Sequence, residues 1–254
     1  MKLKRLISNA LHRAGYVVFN TRAGYGYTQD GLFTMHSDHF RHDEAFQSAY
    51  RRGVLASGGF DPKLEWRAHV ALWAASLAMR APGDFVECGV NAGFVSSAIM
   101  HSLDWRNVAR KFYLIDTFSG PVLSQYSPTE IDRGRIEVAK TALAAGAYVT
   151  DLERVRANFS EWPNAIVVQG AVPQVLDTVN FADVAFLHLD MNCALPERSA
   201  LEFFWPRLSL GGVVLFDDYT YFGHNSQTEE IDAAARSLGI RILALPTGQG
   251  LIVK

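Results

Sequence analysis

The chain has 254 residues, 49% hydrophobic and 20% charged, with a formal net charge of -2. That length supports one large α/β domain with a substantial core, and the near balance of charge excludes the basic excess that marks nucleic-acid-binding domains, so no nucleic-acid partner is expected. Two cysteines, Cys88 and Cys193, imply no disulfide framework and fit a cytoplasmic location, and no apolar run reaches the roughly eighteen residues of a membrane-spanning helix.

The first predicted element is "MKLKRLISNALHRAG", where Leu3, Leu6, Ile7, Ala10, Leu11 and Ala14 recur at helical spacing among Lys2, Lys4, Arg5 and Arg13. This is an amphipathic cationic helix, packed on its own domain or a partner subunit, or held at a membrane surface through residues 1–15. Residues 16–62 lack sustained periodicity and read as a loop-rich layer with a short helix at "DEAFQSAYRRG". Residues 1–62 are therefore expected to be an N-terminal extension that serves the acceptor pocket or an oligomer contact, with residues 63–254 the main domain and a homo-oligomer the expected assembly. His36, His39 and His42 share a three-residue spacing; without cysteine partners, a lid or acceptor-pocket role is the better expectation than a metal site.

"KLEWRAHVALWAASLAMR" predicts a buried helix ended by Pro82 and Gly83. Arg67 and His69 on it either reach toward a bound ligand or pack on the helix surface. Strands are predicted at "DFVECG", "KFYLID", "AIVVQG", "VAFLHLD" and "GVVLFDD", alternating with helices, as in a mainly parallel sheet covered on both faces. A mostly helical insert, residues 119–158, separates the second from the third. "IRILALP" and "GLIVK", joined by a Gly-containing turn, predict an antiparallel hairpin at the sheet edge. The fold class is α/β, and the layout resembles a Rossmann-like class I methyltransferase fold, with a seven-stranded, mainly parallel sheet.

Ligands of such sheets bind at the carboxyl ends of the strands, near the point where strand order reverses. Glu87, Asp116, Asp190 and the pair Asp217 and Asp218 end strands there, although any single one could simply cap the next helix. In "GDFVECGVNAGF" the three positions of a dinucleotide fingerprint read Glu87, Gly89 and Ala92. A carboxylate there would repel a pyrophosphate and favours a cationic cofactor, S-adenosylmethionine. Gly89, Val90, Asn91 and Gly93 form the turn, Asp116 with Thr117 is placed to meet ribose hydroxyls, and Gly170 lies near the adenine edge. Asp190, Asp217 and Asp218 would repel one another without a cation, and an oxygen-only set suits Mg²⁺ or a similar divalent ion.

At these residues, "GDFVECGVNAGF", "FYLIDTFSG", "FLHLDMN" and "GGVVLFDDY", the chain resembles the macrocin O-methyltransferase family of metal-dependent sugar O-methyltransferases, over roughly residues 64–220. The resemblance implies methyl transfer to a sugar hydroxyl of a glycan or glycosylated natural product, with Asp190 as metal ligand and general base and Asp217 and Asp218 completing the metal site. It departs at Met191, Asn192, Cys193 and Ala194, where the family carries G-D-L-Y, and at Asn91, Ala92 and Phe94 in the glycine turn, where the family carries W, R and G. "HSDHF" and "FQSAYRRG" are similar to members associated with bacterial polysaccharide biosynthesis. A catalytically silent cofactor-binding module in a glycan-assembly complex, and a catechol-type O-methyltransferase, are the competing readings.

Overall fold

The computed structural model describes residues 2–16 and 26–254. Two compact units emerge, Met1–His39 and Phe40–Lys254. The smaller contains helix α1 (Lys2–Arg13) and a hairpin of β1 (Tyr27–Gln29) and β2 (Leu32–Thr34). The expected cationic helix forms, and its Leu6 and Ile7 are exposed. The hairpin was not anticipated. It turns on Asp30 and Gly31, both at positive φ, as a tight two-residue loop requires. Part of the expected loop-rich layer, residues 17–25, lies outside the described residues.

In the larger unit α2 (Glu44–Ala56) opens on Asp43, whose carboxylate accepts from the Phe46 amide and supplies the N-cap. The unit runs from Phe40, and within it α2 packs closely on α4 (Phe94–Ser102). A positive-φ Gly93 starts α4, and a Cβ on Gly53 of α2 would overlap the Phe94 carbonyl. Helix α3 (Glu65–Ala78) carries a stripe of buried alanines, Ala68, Ala71, Ala75 and Ala78, which lets it lie close over the sheet.

The sheet is built from β3 (Asp84–Cys88), β4 (Phe112–Asp116), β5 (Ala165–Gln169), β6 (Val184–Leu189), β7 (Leu208–Phe216), β8 (Leu243–Ala244) and β9 (Gly250–Val253) in the order β5-β4-β3-β6-β7-β9-β8. The first five strands in that order pair in parallel, and β9 runs antiparallel between β7 and β8. Phe85, Phe186, Val213 and Leu215 face α3, α4 and Trp105 on one side. Val86, Leu187 and Val214 face α8 (Ala194–Phe204) and α9 (Asn225–Leu238) on the other, against Leu201, Phe204 and Ile231. Both faces being covered explains the continuously apolar strands. The insert between β4 and β5 forms α5 (Pro128–Asp132), α6 (Arg135–Ala144) and α7 (Leu152–Phe159), with the first two on a capping box at Ser127 and Glu130 and on Gly134. Among the described residues no helix is long and apolar enough to cross a membrane.

Candidate active site

Strand order reverses beside β3, where β4 leaves to one side and β6 to the other, and a cleft opens at the carboxyl ends of these strands. Gly89, Asn91, Asp116, Thr117, Gly170 and Asp190 line it, so six of the sequence-predicted site residues converge. Tyr148 and Val149 from the insert and Asn192 and Cys193 after β6 are among the other lining residues.

Each lining residue has a local reason for its place. Gly89 leaves β3 at φ +94°, and a Cβ there would overlap the Asp190 carbonyl. Only glycine lets the two strand ends approach so closely. The Asn91 amide donates to Asp116 Oδ2 at 2.8 Å and the Phe118 amide to Oδ1 at 2.8 Å, so Asp116 knits the glycine turn to its own loop. Each oxygen keeps a second lone pair for a hydroxyl in the cavity. The Asn91 side chain donates to the Ala147 carbonyl at 2.9 Å and accepts from the Val149 amide at 2.8 Å, fastening the insert as the cavity wall. Thr117 is spent structurally, donating to the Gly120 carbonyl at 2.7 Å.

Other predicted residues lie elsewhere. Val90 is core, and Gly93 packs under the Phe159 ring. Glu87 is buried and does not line the cavity; it accepts from His188 Nδ1 at 2.8 Å, while its Oε2 is buried without a hydrogen-bond partner. His188 Nε2 stands 3.7 Å from Asp217 Oδ1, an electrostatic contact and not a hydrogen bond. Burial works against a charge on His188, yet Asp217 and Glu87 on its two sides push its pKa up to about 10. The polar residue inside the apolar "FLHLD" run was the available signal for this pair.

Asp217 and Asp218 meet not an open space but Arg67. Its Nη1 lies 2.5 Å from Asp217 Oδ2 and 3.1 Å from Asp218 Oδ1, and Gln249 Nε2 donates to the other Asp217 oxygen at 2.9 Å. Burial raises the Asp217 pKa, but Arg67 and His188 outweigh it and hold the carboxyl well below its ordinary range. Asp218 is shifted upward by burial and by Asp217. Asp190 is shifted well upward, by burial first and then by Asp217 and Asp218, and it alone of the three lines the cavity. His69 stacks on Phe40, with ring centroids 4.0 Å apart, inside an aromatic cluster. His36, His39 and His42 are exposed.

The cavity suits S-adenosylmethionine: a glycine cradle, an acid at the end of β4 and an opening walled by loops. The Mg²⁺ site fits less well. Both Asp217 oxygens are engaged, a guanidinium nitrogen stands between the two aspartates, and among the described residues no three His, Cys, Asp or Glu side chains stand where they could hold a metal ion. These donors do not fit a shared octahedral ion.

Strand order and cavity together define a class I methyltransferase domain. The chain belongs to the macrocin O-methyltransferase (TylF) family, whose model matches residues 71–236. An 8-demethyl-8-(2,3-dimethoxy-alpha-L-rhamnosyl)-tetracenomycin-C 4'-O-methyltransferase of Streptomyces olivaceus is 32% identical over 150 residues, covering 56% of this chain and 55% of the relative. The chain thus matches about half the length of that curated relative. Two solved structures share the fold: the O-methyltransferase NovP, with a TM-score of 0.63 and 20% identity over 81% of this chain and 88% of NovP, and calicheamicin methyltransferase CalS11, with 0.51 and 18% over 90% and 97%. A second CalS11 structure, described as a TDP-rhamnose 3'-O-methyltransferase, aligns with a TM-score of 0.51 at 18% identity over 87% of this chain and 97% of CalS11.

Proposed function

We propose that the protein transfers a methyl group from S-adenosylmethionine to a hydroxyl of a sugar, with a deoxysugar such as a rhamnosyl unit as the acceptor class. The observation that carries this reading is Asp190: a carboxyl of raised proton affinity on the wall of the cavity, at the end of β6 and against Gly89. The family and the rhamnosyl substrates of the Streptomyces relative and CalS11 support the acceptor class.

When bound, S-adenosylmethionine supplies an electrophilic methyl on a positively charged sulfur. Gly89 and Asn91 would hold it through backbone approach, Asp116 through its ribose hydroxyls, and Gly170 at the adenine edge. A sugar hydroxyl is a poor nucleophile until its proton is drawn away, and Asp190 is the group positioned to take that proton. Burial, with Asp217 and Asp218, raises its proton affinity, which favours its taking that proton. Tyr148, whose pKa is raised by burial and by Asp190, forms part of the same wall and would orient the acceptor. Mg²⁺, expected from the sequence, has no step in this proposal, because Arg67 engages two of its three intended ligands.

Incubation with isotopically labelled S-adenosylmethionine and a panel of rhamnosyl nucleotides, rhamnosyl glycosides, catechols and amines tests this. Label on a sugar hydroxyl is the expected result; label only on a catechol or an amine would overturn it. Cofactor binding with no transfer to any acceptor would favour the silent binding module.

A further inference from the structure

Arg67 is built into its position from several directions. It sits in the first turn of α3, its Cζ lies 4.9 Å from the centroid of the Tyr221 ring, and its backbone carbonyl accepts from Gln249 Nε2 at 3.4 Å. The same Gln249 nitrogen donates to Asp217, so one amide fixes both the arginine backbone and the carboxylate that the arginine pairs. The side chains of Arg67, Asp217 and Asp218 are only 12%, 7% and 8% exposed, which shields the cluster from salt and water. A guanidinium cannot lose its proton in a protein, and its nitrogens are donors only, so it is a permanent cation that cannot itself ligate a metal.

Two adjacent buried carboxylates need positive charge. The sequence expectation supplied it as a divalent ion shared with Asp190. Here one nitrogen bridges the two acids from within the fold, and a dication placed among the same oxygens would meet a fixed positive charge at close range. We infer that Arg67 is the resident cation of this site in place of a divalent metal, and that methyl transfer by this chain proceeds without one. The inference deepens the methyl-transfer reading, but its binding test requires no acceptor and can fail independently of that reading.

The experiment uses the full-length protein stripped of metal and titrated with Mn²⁺, with free ion followed by its paramagnetic resonance signal. The wild type should bind no Mn²⁺ at the carboxylates up to millimolar concentration. Arg67→Ala, which vacates the space, should bind about one equivalent, and Arg67→Lys, which keeps the charge, should not. Arg67→Met serves as the vacating variant if the alanine form does not fold. Submillimolar binding by the wild type would overturn the inference. So would folded vacating variants that bind no ion, since the aspartates would then have no metal site to replace. Wild-type methyl transfer, once an acceptor is in hand, should be unchanged by millimolar EDTA, and its abolition would also count against the inference.

Discussion

Asp190 and Glu197 flank the same loop, and burial is the first cause that raises the proton affinity of each. Glu197 is fully buried in the first turn of α8, where Oε1 accepts from the Met191 amide at 2.9 Å and Oε2 has no hydrogen-bond partner. Burial, the largest cause, pushes its pKa up to about 8 from an ordinary 4.5. Between these values the folded chain holds a proton that the unfolded chain has released, so stability is fully present below about 4.5 and is lost as pH rises through about 8. Glu197→Gln keeps the Oε1 acceptor and removes the titration. Melting temperatures between pH 5 and 8 should therefore fall more steeply for the wild type than for the variant, and parallel curves would contradict the assignment. At this scale the sequence was legible where one residue type dictates the geometry: Gly89 because no Cβ fits, and Asp116 because an acid ends an apolar strand. Tyr148 was not legible, since nothing local in "GAYVT" distinguishes a cavity wall from a loop. The partners of Arg67 lie 150 and 151 residues away, beyond any spacing argument.

Among the elements, β3 to β7 and α3 were readable because short apolar runs bounded by Gly, Pro or acids admit few alternatives. β8 shrank to Leu243–Ala244 at the open edge, where the strand pairs on one side only. The β1–β2 hairpin carries a signal in "YTQDGLFT", an Asp-Gly turn between alternating residues, but its strands of three residues each are shorter than the runs that mark a strand in sequence. Asn91 fastens the 147–149 end of the insert beside the cavity through two hydrogen bonds of one side chain. Asn91→Ala should weaken S-adenosylhomocysteine binding by roughly fivefold to thirtyfold, about 1–2 kcal/mol for two such bonds, and speed amide exchange at Ala147 to Val149. Calorimetry and hydrogen exchange would read both, and unchanged exchange would show that the insert is held by other contacts.

For the whole molecule, the entire sheet, both of its covered faces and the cavity lie within Phe40–Lys254. A chain beginning at Phe40 should fold and bind S-adenosylhomocysteine within about threefold of the full protein, since no cavity residue is removed. Loss of methyl transfer or a change in oligomeric mass would assign the first 39 residues to the acceptor or to an interface, and a fragment unchanged in both would exclude those roles. The proposed chemistry lies at the end of β6. Asp190→Asn preserves shape and removes the base, so on a sugar acceptor its kcat should fall about a hundredfold or more, the scale of a lost general base, with affinity for S-adenosylhomocysteine unchanged. Turnover equal to that of the wild type would contradict the account.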